Sequence, residues 1–353
     1  MALIHGGDWE SYILETGKMP LDFSANCNPL GTPEGVIKAV CDSAKNAAAY
    51  PDPLCRRLVK ALSESEGAKE SALLCGAGAA DIIFRLAAAL KPKKALVTAP
   101  TFAEYELALD TVGCETEHYF LKEKNGFSIE NDFIYRITQE TDVVFVCNPN
   151  NPTGNTTEKS LLCSILDKCT QTGTLLVVDE CFNDFLDEPE KFTLKDRAAE
   201  NKNLLILKAF TKLYGMAGLR LGYCICYNGE LIEKMRGAGQ PWGVSSLAQE
   251  AGIAALSEKD YVLRTKALIK NERRRLKEAL AKLGTKVLGG EANYIFFMCK
   301  AKDLAAKMRS EGVLIRDCSN YCGLEKGYFR TAVRTKEEND MLLAALEKIL
   351  KGN

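Results

Sequence analysis

The chain lacks a long hydrophobic run, an excess of basic charge and the signature of a secretory signal peptide. No apolar stretch approaches the roughly 18 residues that a membrane-spanning helix needs. Lys and Arg total 46 against 47 Asp and Glu, which gives no indication of a nucleic-acid or membrane-surface partner. The N-terminus has no basic segment followed by an apolar one, so we expect a cytoplasmic protein.

Metal ligands are also scarce, although the sequence contains 14 cysteines. No two cysteines form a C-x-x-C pair, and the closest pairs are Cys224/Cys226 and Cys318/Cys322. His5 and His118 are the only histidines, so a zinc site would lack its usual support. We therefore expect no metal, and we interpret the cysteines as small, mostly buried side chains in a reducing compartment.

From about residue 70, short apolar runs alternate with longer amphipathic stretches. Strands are predicted at Asp142–Cys147, Thr174–Asp179 and Leu204–Lys208, and helices at Asp81–Leu90 and Glu158–Thr172. Strands that are apolar along their whole length are typical of a sheet covered on both faces. The pattern predicts an α/β fold with a mostly parallel central sheet.

The pattern changes after about residue 240, where long charged stretches and shorter strands appear. A chain of this length exceeds a typical single core, so a large and a smaller domain are expected. We predict an irregular N-terminal segment (1–30) that packs near the smaller domain, a large domain (31–240) and a small α+β C-terminal domain (241–353).

The first chemical signal is Gly76-Ala-Gly-Ala-Ala-Asp81, between a predicted strand and a predicted helix. Small residues let an anion approach the backbone, and a helix N-terminus offers free N–H groups. The segment is either a phosphate cradle or an ordinary packed turn. Asp81 stands where the G-x-G-x-x-G pattern needs its last glycine, which disfavours a dinucleotide-binding dehydrogenase.

Two further signals follow predicted buried strands. Asn148-Pro-Asn-Asn-Pro-Thr-Gly154 is either a plain turn or a loop whose asparagines face a ligand. Asp179 ends the next strand, where a carboxylate is costly unless it meets a cation. The alternative is that Asp179 is exposed or caps a helix.

The fourth signal is the low-charge, Gly-rich stretch from Phe210 to Gly222. Thr211 and Lys212 follow a predicted strand there, and Arg220 lies eight positions after Lys212. A lone lysine is usually solvated, but a desolvated amine could lose its proton and attack an aldehyde.

In this order the four motifs resemble the class I/II aminotransferase superfamily, the fold-type-I pyridoxal-phosphate enzymes, over essentially the whole chain. The resemblance implies that fold, pyridoxal 5′-phosphate as the cofactor, and a homodimer with active sites at its interface. It implies that Lys212 bonds the cofactor covalently, while Asp179 keeps the pyridine nitrogen protonated. The other implied cofactor contacts are Asn151 to the ring oxygen, Phe102 by stacking, and Gly78, Ala79, Ala80, Thr211, Arg220 and, across the dimer interface, Tyr50 to the phosphate.

The resemblance also implies substrate contacts. Arg330 matches the arginine that grips the substrate carboxylate, and Asn26 lies in a segment similar to the one that faces the substrate. One residue departs from the pattern. Phe182 stands three positions after Asp179, where aminotransferases of this branch usually have a tyrosine that bonds the ring oxygen. The absence of this tyrosine weakens the case for plain transamination.

The likeness is strongest to two branches that act on phosphorylated substrates, the threonine-phosphate decarboxylases and the histidinol-phosphate aminotransferases. Three segments favour the decarboxylases: His5-Gly-Gly-Asp8, Asp22–Gly31, and the pair Ile315–Leu324 and Phe329–Thr335. The resemblance then implies that His5, Arg316 and Arg334 help to bind the substrate. The alternative is that His5 belongs to a flexible tail and that both arginines are surface charges.

The expected reaction is decarboxylation of L-threonine O-3-phosphate to (R)-1-amino-2-propanol O-phosphate, in cobalamin biosynthesis. The alternative is an aminotransferase of the histidinol-phosphate type. A pyridoxal-phosphate-binding regulator is disfavoured, because the sequence shows no additional basic, DNA-binding module before the family-like region.

Overall fold

Helices and strands alternate through the described part of the chain, residues 5–352 of a computed structural model. The helices are α1 (Trp9–Thr16), α2 (Glu34–Ala44), α3 (Arg56–Glu66), α4 (Ala79–Leu90), α5 (Glu104–Asp110), α6 (Lys159–Thr172), α7 (Lys195–Ala198), α8 (Phe210–Leu213), α9 (Gly229–Ala238), α10 (Ser246–Leu256), α11 (Lys259–Lys282), α12 (Leu304–Ser310) and α13 (Lys336–Lys351). The strands are β1 (Leu21–Asp22), β2 (Leu73–Gly76), β3 (Lys94–Ala99), β4 (Glu115–Phe120), β5 (Val143–Cys147), β6 (Leu175–Asp179), β7 (Leu204–Ala209), β8 (Gly222–Cys226), β9 (Lys286–Gly289), β10 (Tyr294–Met298), β11 (Val313–Leu314), β12 (Arg316–Asp317) and β13 (Tyr328–Ala332). None of these helices combines the length and apolarity that crossing a bilayer requires.

The large sheet has the strand order β2-β8-β7-β6-β5-β3-β4. Strands β7, β6, β5, β3 and β4 run parallel to one another, whereas β8 runs antiparallel to β2 and β7. Side chains alternate between two cores, with Val144 in the core on one face and Phe145 in the core on the other. Burial on both faces explains the continuous apolar runs, and the predicted mostly parallel α/β sheet is confirmed.

A second, antiparallel sheet has the order β12-β13-β10-β9. Apolar residues of α11, α12 and α13, such as Leu276, Met308 and Leu342, pack with it in a separate core. Strand β1 pairs in parallel with β11, which ties the N-terminal segment to this part of the chain. That segment is not irregular as predicted, because α1 begins after its N-cap Asp8 and ends at Gly17 in the left-handed conformation. The predicted boundary at residue 240 stays a prediction; α10 shares the core of the large sheet.

The loop after β5 is clamped to the connection between β9 and β10. The Tyr294 hydroxyl donates to the Asn150 carbonyl at 2.8 Å, and the Glu291 N–H donates to the Gly154 carbonyl at 2.8 Å. Gly154 has φ +73°, and a Cβ there would lie 2.7 Å from Gly290 Cα. Only glycine permits this close approach of two backbones.

Replacing Gly154 by alanine therefore combines a backbone penalty with a steric clash. Gly113→Ala is the matched control, because Gly113 has φ +71° and open space around its Cβ position. We expect the control to lower the free energy of unfolding by roughly 1–2 kcal/mol, and Gly154→Ala to lower it by about 1–3 kcal/mol more. Denaturant unfolding measures the difference; equal losses would show that the backbone contact does not constrain the fold.

Candidate active site

The carboxyl ends of neighbouring parallel strands meet at one edge of the large sheet and form a cavity of about 250 Å³. Asp179 is the last residue of β6, and Lys212 lies in α8 directly after β7. Ligands of open α/β sheets bind at this edge. The predicted site residues that line the cavity are His5, Asn26, Ala79, Ala80, Phe102, Asn151, Asp179, Thr211, Lys212, Arg220 and Arg330.

Asp179 presents a buried carboxylate to this cavity. Its Oδ2 accepts a hydrogen bond from the Tyr105 hydroxyl at 2.6 Å, and its Oδ1 accepts one from the Cys181 N–H at 3.0 Å. Burial raises the pKa of Asp179, while the hydrogen bonds from Cys181 and Tyr105 and the charge of Lys212 act against that rise. The carboxylate is thus held for a partner that carries a proton or a positive charge.

Lys212 is the amine of the site. Its Nζ lies 5.8 Å from the centre of the Phe182 ring, and among residues 5–352 it forms no salt bridge. Lys208 differs, because its Nζ pairs with Asp184 at 3.2 Å. Burial lowers the pKa of Lys208, but the charges of Asp184 and Glu66 outweigh burial and leave that pKa above its ordinary value. Lys208 is therefore committed to an ion pair, and Lys212 is the lysine that can react.

The glycine-rich turn before α4 forms an anion cradle. Gly78 has φ +92°, and a Cβ there would lie 2.6 Å from Arg220 Nη2. Helix α4 begins at Ala79, and the free N–H groups of its first turn are further donors beside the Arg220 guanidinium. Asp81 has a structural role, since its Oδ2 accepts from the Ala77 N–H at 2.8 Å and pairs with Arg85 at 2.8 Å.

The second sheet contributes Arg330 to the cavity. Arg330 donates to Oδ1 of Asn151 and, at 2.7 Å, to the carbonyl of Ser24. The bond to Oδ1 leaves the Asn151 amide N–H groups for a ligand. Asn26 Oδ1 and Arg330 Nε are buried and have no hydrogen-bond partner within the described residues. Unpaired polar atoms around a cavity are what a polar ligand would satisfy.

Four predicted residues lie outside the cavity. Gly78 sits behind it against Arg220. Tyr50 is 81% exposed and packs on Trp242, with ring centres 4.8 Å apart. Arg316 is buried beside the cavity, with Nη2 2.8 Å from Asn320 Oδ1, and is not the surface charge considered as an alternative. Arg334 is occupied by the Asp22 carbonyl and, at 2.6 Å, by Glu338.

Sequence reasoning missed Glu104, Tyr105 and Tyr321. Glu104 and Tyr321 line the cavity, and Tyr105 touches Asp179 from behind. Glu104 and Tyr105 follow Phe102 so closely that Pro100–Tyr105 was a usable signal. Nothing local indicates that Tyr105 reaches a strand 74 positions away.

The donor set fits the three functional groups of pyridoxal 5′-phosphate. Lys212 offers an amine to the aldehyde, and Asp179 offers a carboxylate to the ring nitrogen. The cradle at Gly78 and Arg220, which a single Cβ would fill, suits the phosphate. Thr211 lies beside Lys212 and can add a hydroxyl donor.

Comparisons with known proteins agree with this chemistry. The family model for "Aminotransferase class I and II" matches residues 18–346. Threonine-phosphate decarboxylase of Salmonella typhimurium is 37% identical over 356 residues, covering 99% of this chain and 97% of the relative. Histidinol-phosphate aminotransferase 1 of Archaeoglobus fulgidus is 31% identical, covering 93% of this chain and 98% of the relative.

The crystal structure of the histidinol-phosphate aminotransferase from Clostridium acetobutylicum superposes with a TM-score of 0.88 at 29% identity, covering 94% of this chain and 99% of that chain. The predicted fold type and cofactor are thereby confirmed. The chain belongs to the class I and II aminotransferase family and is a pyridoxal-phosphate-dependent enzyme.

Proposed function

We propose that the enzyme decarboxylates L-threonine O-3-phosphate to (R)-1-amino-2-propanol O-phosphate, as a step of cobalamin biosynthesis. The observation that carries the proposal is the position of His5, in the cavity that Lys212 and Asp179 also line. His5 belongs to the opening segment that resembles the decarboxylases. The 37% identity to the Salmonella typhimurium decarboxylase over nearly the whole chain supports the same choice.

In this proposal, the residues divide between cofactor and substrate. Asp179 keeps the ring nitrogen protonated, Asn151 donates to the ring oxygen and Phe102 packs on the ring. Gly78, Ala79, Ala80, Thr211 and Arg220 bind the cofactor phosphate. Arg330 binds the substrate carboxylate, and Asn26, His5 and Arg316 bind the rest of the substrate. The Arg334 guanidinium is held instead by the Asp22 carbonyl and Glu338.

The pose of the substrate decides which bond breaks. Pyridoxal phosphate, when bound, supplies an electron-accepting ring, so the bond perpendicular to that ring is weakened. Arg330 and His5 would orient the Cα–carboxylate bond in this direction. Carbon dioxide would then leave, and Lys212 in its ammonium form would return a proton to Cα. Neither step touches the phosphate ester, so the amine product would keep its phosphate.

An aminotransferase acting on a substrate of the histidinol-phosphate type is the second candidate. The 31% identity to the Archaeoglobus fulgidus aminotransferase favours it. Phe182 argues against it, because a phenylalanine cannot donate to the cofactor oxygen. Its ring packs edge-on against Tyr294, with centres 5.0 Å apart, so the position is filled by packing.

A homodimer is part of the proposal. Tyr50 and Trp242 form an exposed aromatic pair, and they are 81% and 47% exposed. From this exposed pair, the Tyr50 side chain would reach the cofactor phosphate of the partner subunit. Exposed aromatic pairs are typical of surfaces that another chain covers.

The products distinguish the two candidate reactions. We incubate the holoenzyme with threonine phosphate alone, and separately with histidinol phosphate plus 2-oxoglutarate. The proposal expects stoichiometric carbon dioxide and aminopropanol phosphate in the first reaction and no glutamate in the second. Glutamate formation without carbon dioxide release would overturn the decarboxylase assignment.

The Tyr105→Phe variant tests whether the Tyr105 hydroxyl stabilises the charged form of Asp179. Losing a hydrogen bond to a carboxylate costs about 1.5–3 kcal/mol, which corresponds to about one to two pKa units. Because that bond opposes the rise caused by burial, its loss raises the pKa of Asp179 further. We expect the acidic limb of the kcat profile to move upward by about one pH unit or more.

Tyr294→Phe is the matched control for Tyr105→Phe. Tyr294 is equally buried, but its hydroxyl donates to the Asn150 carbonyl and not to Asp179. This variant should lose stability and keep the acidic limb in place. Equal profiles for wild type and Tyr105→Phe would exclude a role for Tyr105 in holding the charge on Asp179.

A further inference from the structure

His5 lies where three cavities meet. It lines the active-site cavity, a neighbouring one that contains His118 and Arg316, and a third that contains Asp8 and Arg309. Its imidazole Nε2 lies 2.6 Å from Oε1 of Glu104, the first residue of α5. The His5 side chain is 43% exposed, whereas that of Glu104 is only 13% exposed. The carboxylate is therefore the fixed member of the pair.

Little else orients the His5 ring. The backbone is anchored next to it, since the Gly7 N–H donates to Ser24 Oγ at 2.8 Å. A Cβ at Gly6 would lie 2.2 Å from the Ser24 carbonyl oxygen, so this glycine lets the segment lie directly on Ser24. These contacts place the Cα of His5 but leave its side-chain torsions free. The Phe102 ring lies tilted beside the imidazole, with centres 6.2 Å apart, but it offers neither ring nitrogen a hydrogen-bond partner.

The 2.6 Å contact between Nε2 and Glu104 decides which ring nitrogen a ligand meets. A carboxylate only accepts hydrogen bonds, so Nε2 carries the proton and points toward Glu104. Nδ1 then faces away, and within the described residues it forms no hydrogen bond. Glu104 Oε2 is likewise buried without a partner. Each member of the pair thus keeps one polar atom without a partner, as expected of a site that a ligand completes.

We propose that Glu104 is a positioning residue that holds His5 so that Nδ1 meets the phosphate of the substrate. This inference rests on the proposed use of a phosphorylated substrate. Glu104 acts through His5, because a bare carboxylate at this place would repel a phosphate. With both ring nitrogens protonated, the imidazolium covers that charge through Nε2–H and donates Nδ1–H to the phosphate.

Binding of a compound that cannot react tests the proposal on the holoenzyme. The probe is 3-phosphooxybutanoate, which is threonine phosphate without its amino group, and 3-hydroxybutanoate is its phosphate-free control. Calorimetry gives the affinity for each compound. Neither compound has an amine, so binding is measured whether the enzyme decarboxylates or transaminates.

Glu104→Leu should weaken binding of the phosphorylated probe about tenfold, the loss of one charge-assisted hydrogen bond, and leave the control compound unaffected. Glu104→Gln keeps an acceptor oxygen for Nε2, so its affinity should stay within about twofold of wild type. His5→Ala should lose about as much as Glu104→Leu, and the double variant should lose no more than His5→Ala alone.

Three results would overturn the inference. The first is a wild-type enzyme that binds both compounds equally. The second is a Glu104→Leu variant that weakens both compounds alike, as general damage to the fold would. The third is a Glu104 effect that persists in full when His5 is absent. None of these results depends on whether carbon dioxide or glutamate is formed, so the proposed reaction can fail separately.

Discussion

The burial of the Asp179 carboxylate at the end of β6 is the constraint on which the site depends. A carboxylate without water is costly, and the fold offsets that cost with donors from two directions. Tyr105 reaches it from α5, stacked on Phe145 of the neighbouring strand at 4.9 Å, and the Cys181 N–H follows in the chain. The remaining unsatisfied charge faces the cavity. In the proposed function, this charge would pair with a protonated ring nitrogen and would orient the cofactor relative to Lys212.

The two sheets meet at this site through Arg330. It extends from β13 of the antiparallel sheet to Asn151, in the loop after β5 of the large sheet, and to Ser24 in the N-terminal segment. The same loop is pinned by Gly154 against Gly290. One buried guanidinium therefore connects the segment that would face the substrate with the loop that would face the cofactor ring. In the proposed function, hydrogen bonds would therefore couple a substrate carboxylate at Arg330 to the loop beside the cofactor ring.

The central sheet was predictable because its strands are apolar throughout, and β5, β6 and β7 begin within a residue of their predicted starts. The N-terminal segment was not, since two-residue β1 exists only through its pairing with β11. The position of Asp179 and Lys212 in one cavity was predictable from strand ends and motif order. The environment of His5 did not, because its contact with Glu104 joins residues that no spacing relates. Arg334 matched a motif of the resembled family, yet it does not line the cavity. Its guanidinium pairs with Glu338 four positions later in the chain.

The central claim is that the amine at position 212, and no other, bonds the cofactor. Lys208 is the strongest alternative, since it is a buried lysine only four positions before Lys212. It is, however, paired with Asp184. Borohydride reduction of the holoenzyme, followed by peptide mapping, reads the modified lysine directly. The account predicts a pyridoxyl group on Lys212 and its disappearance in Lys212→Ala. An adduct on Lys208, or none that survives reduction, would contradict it.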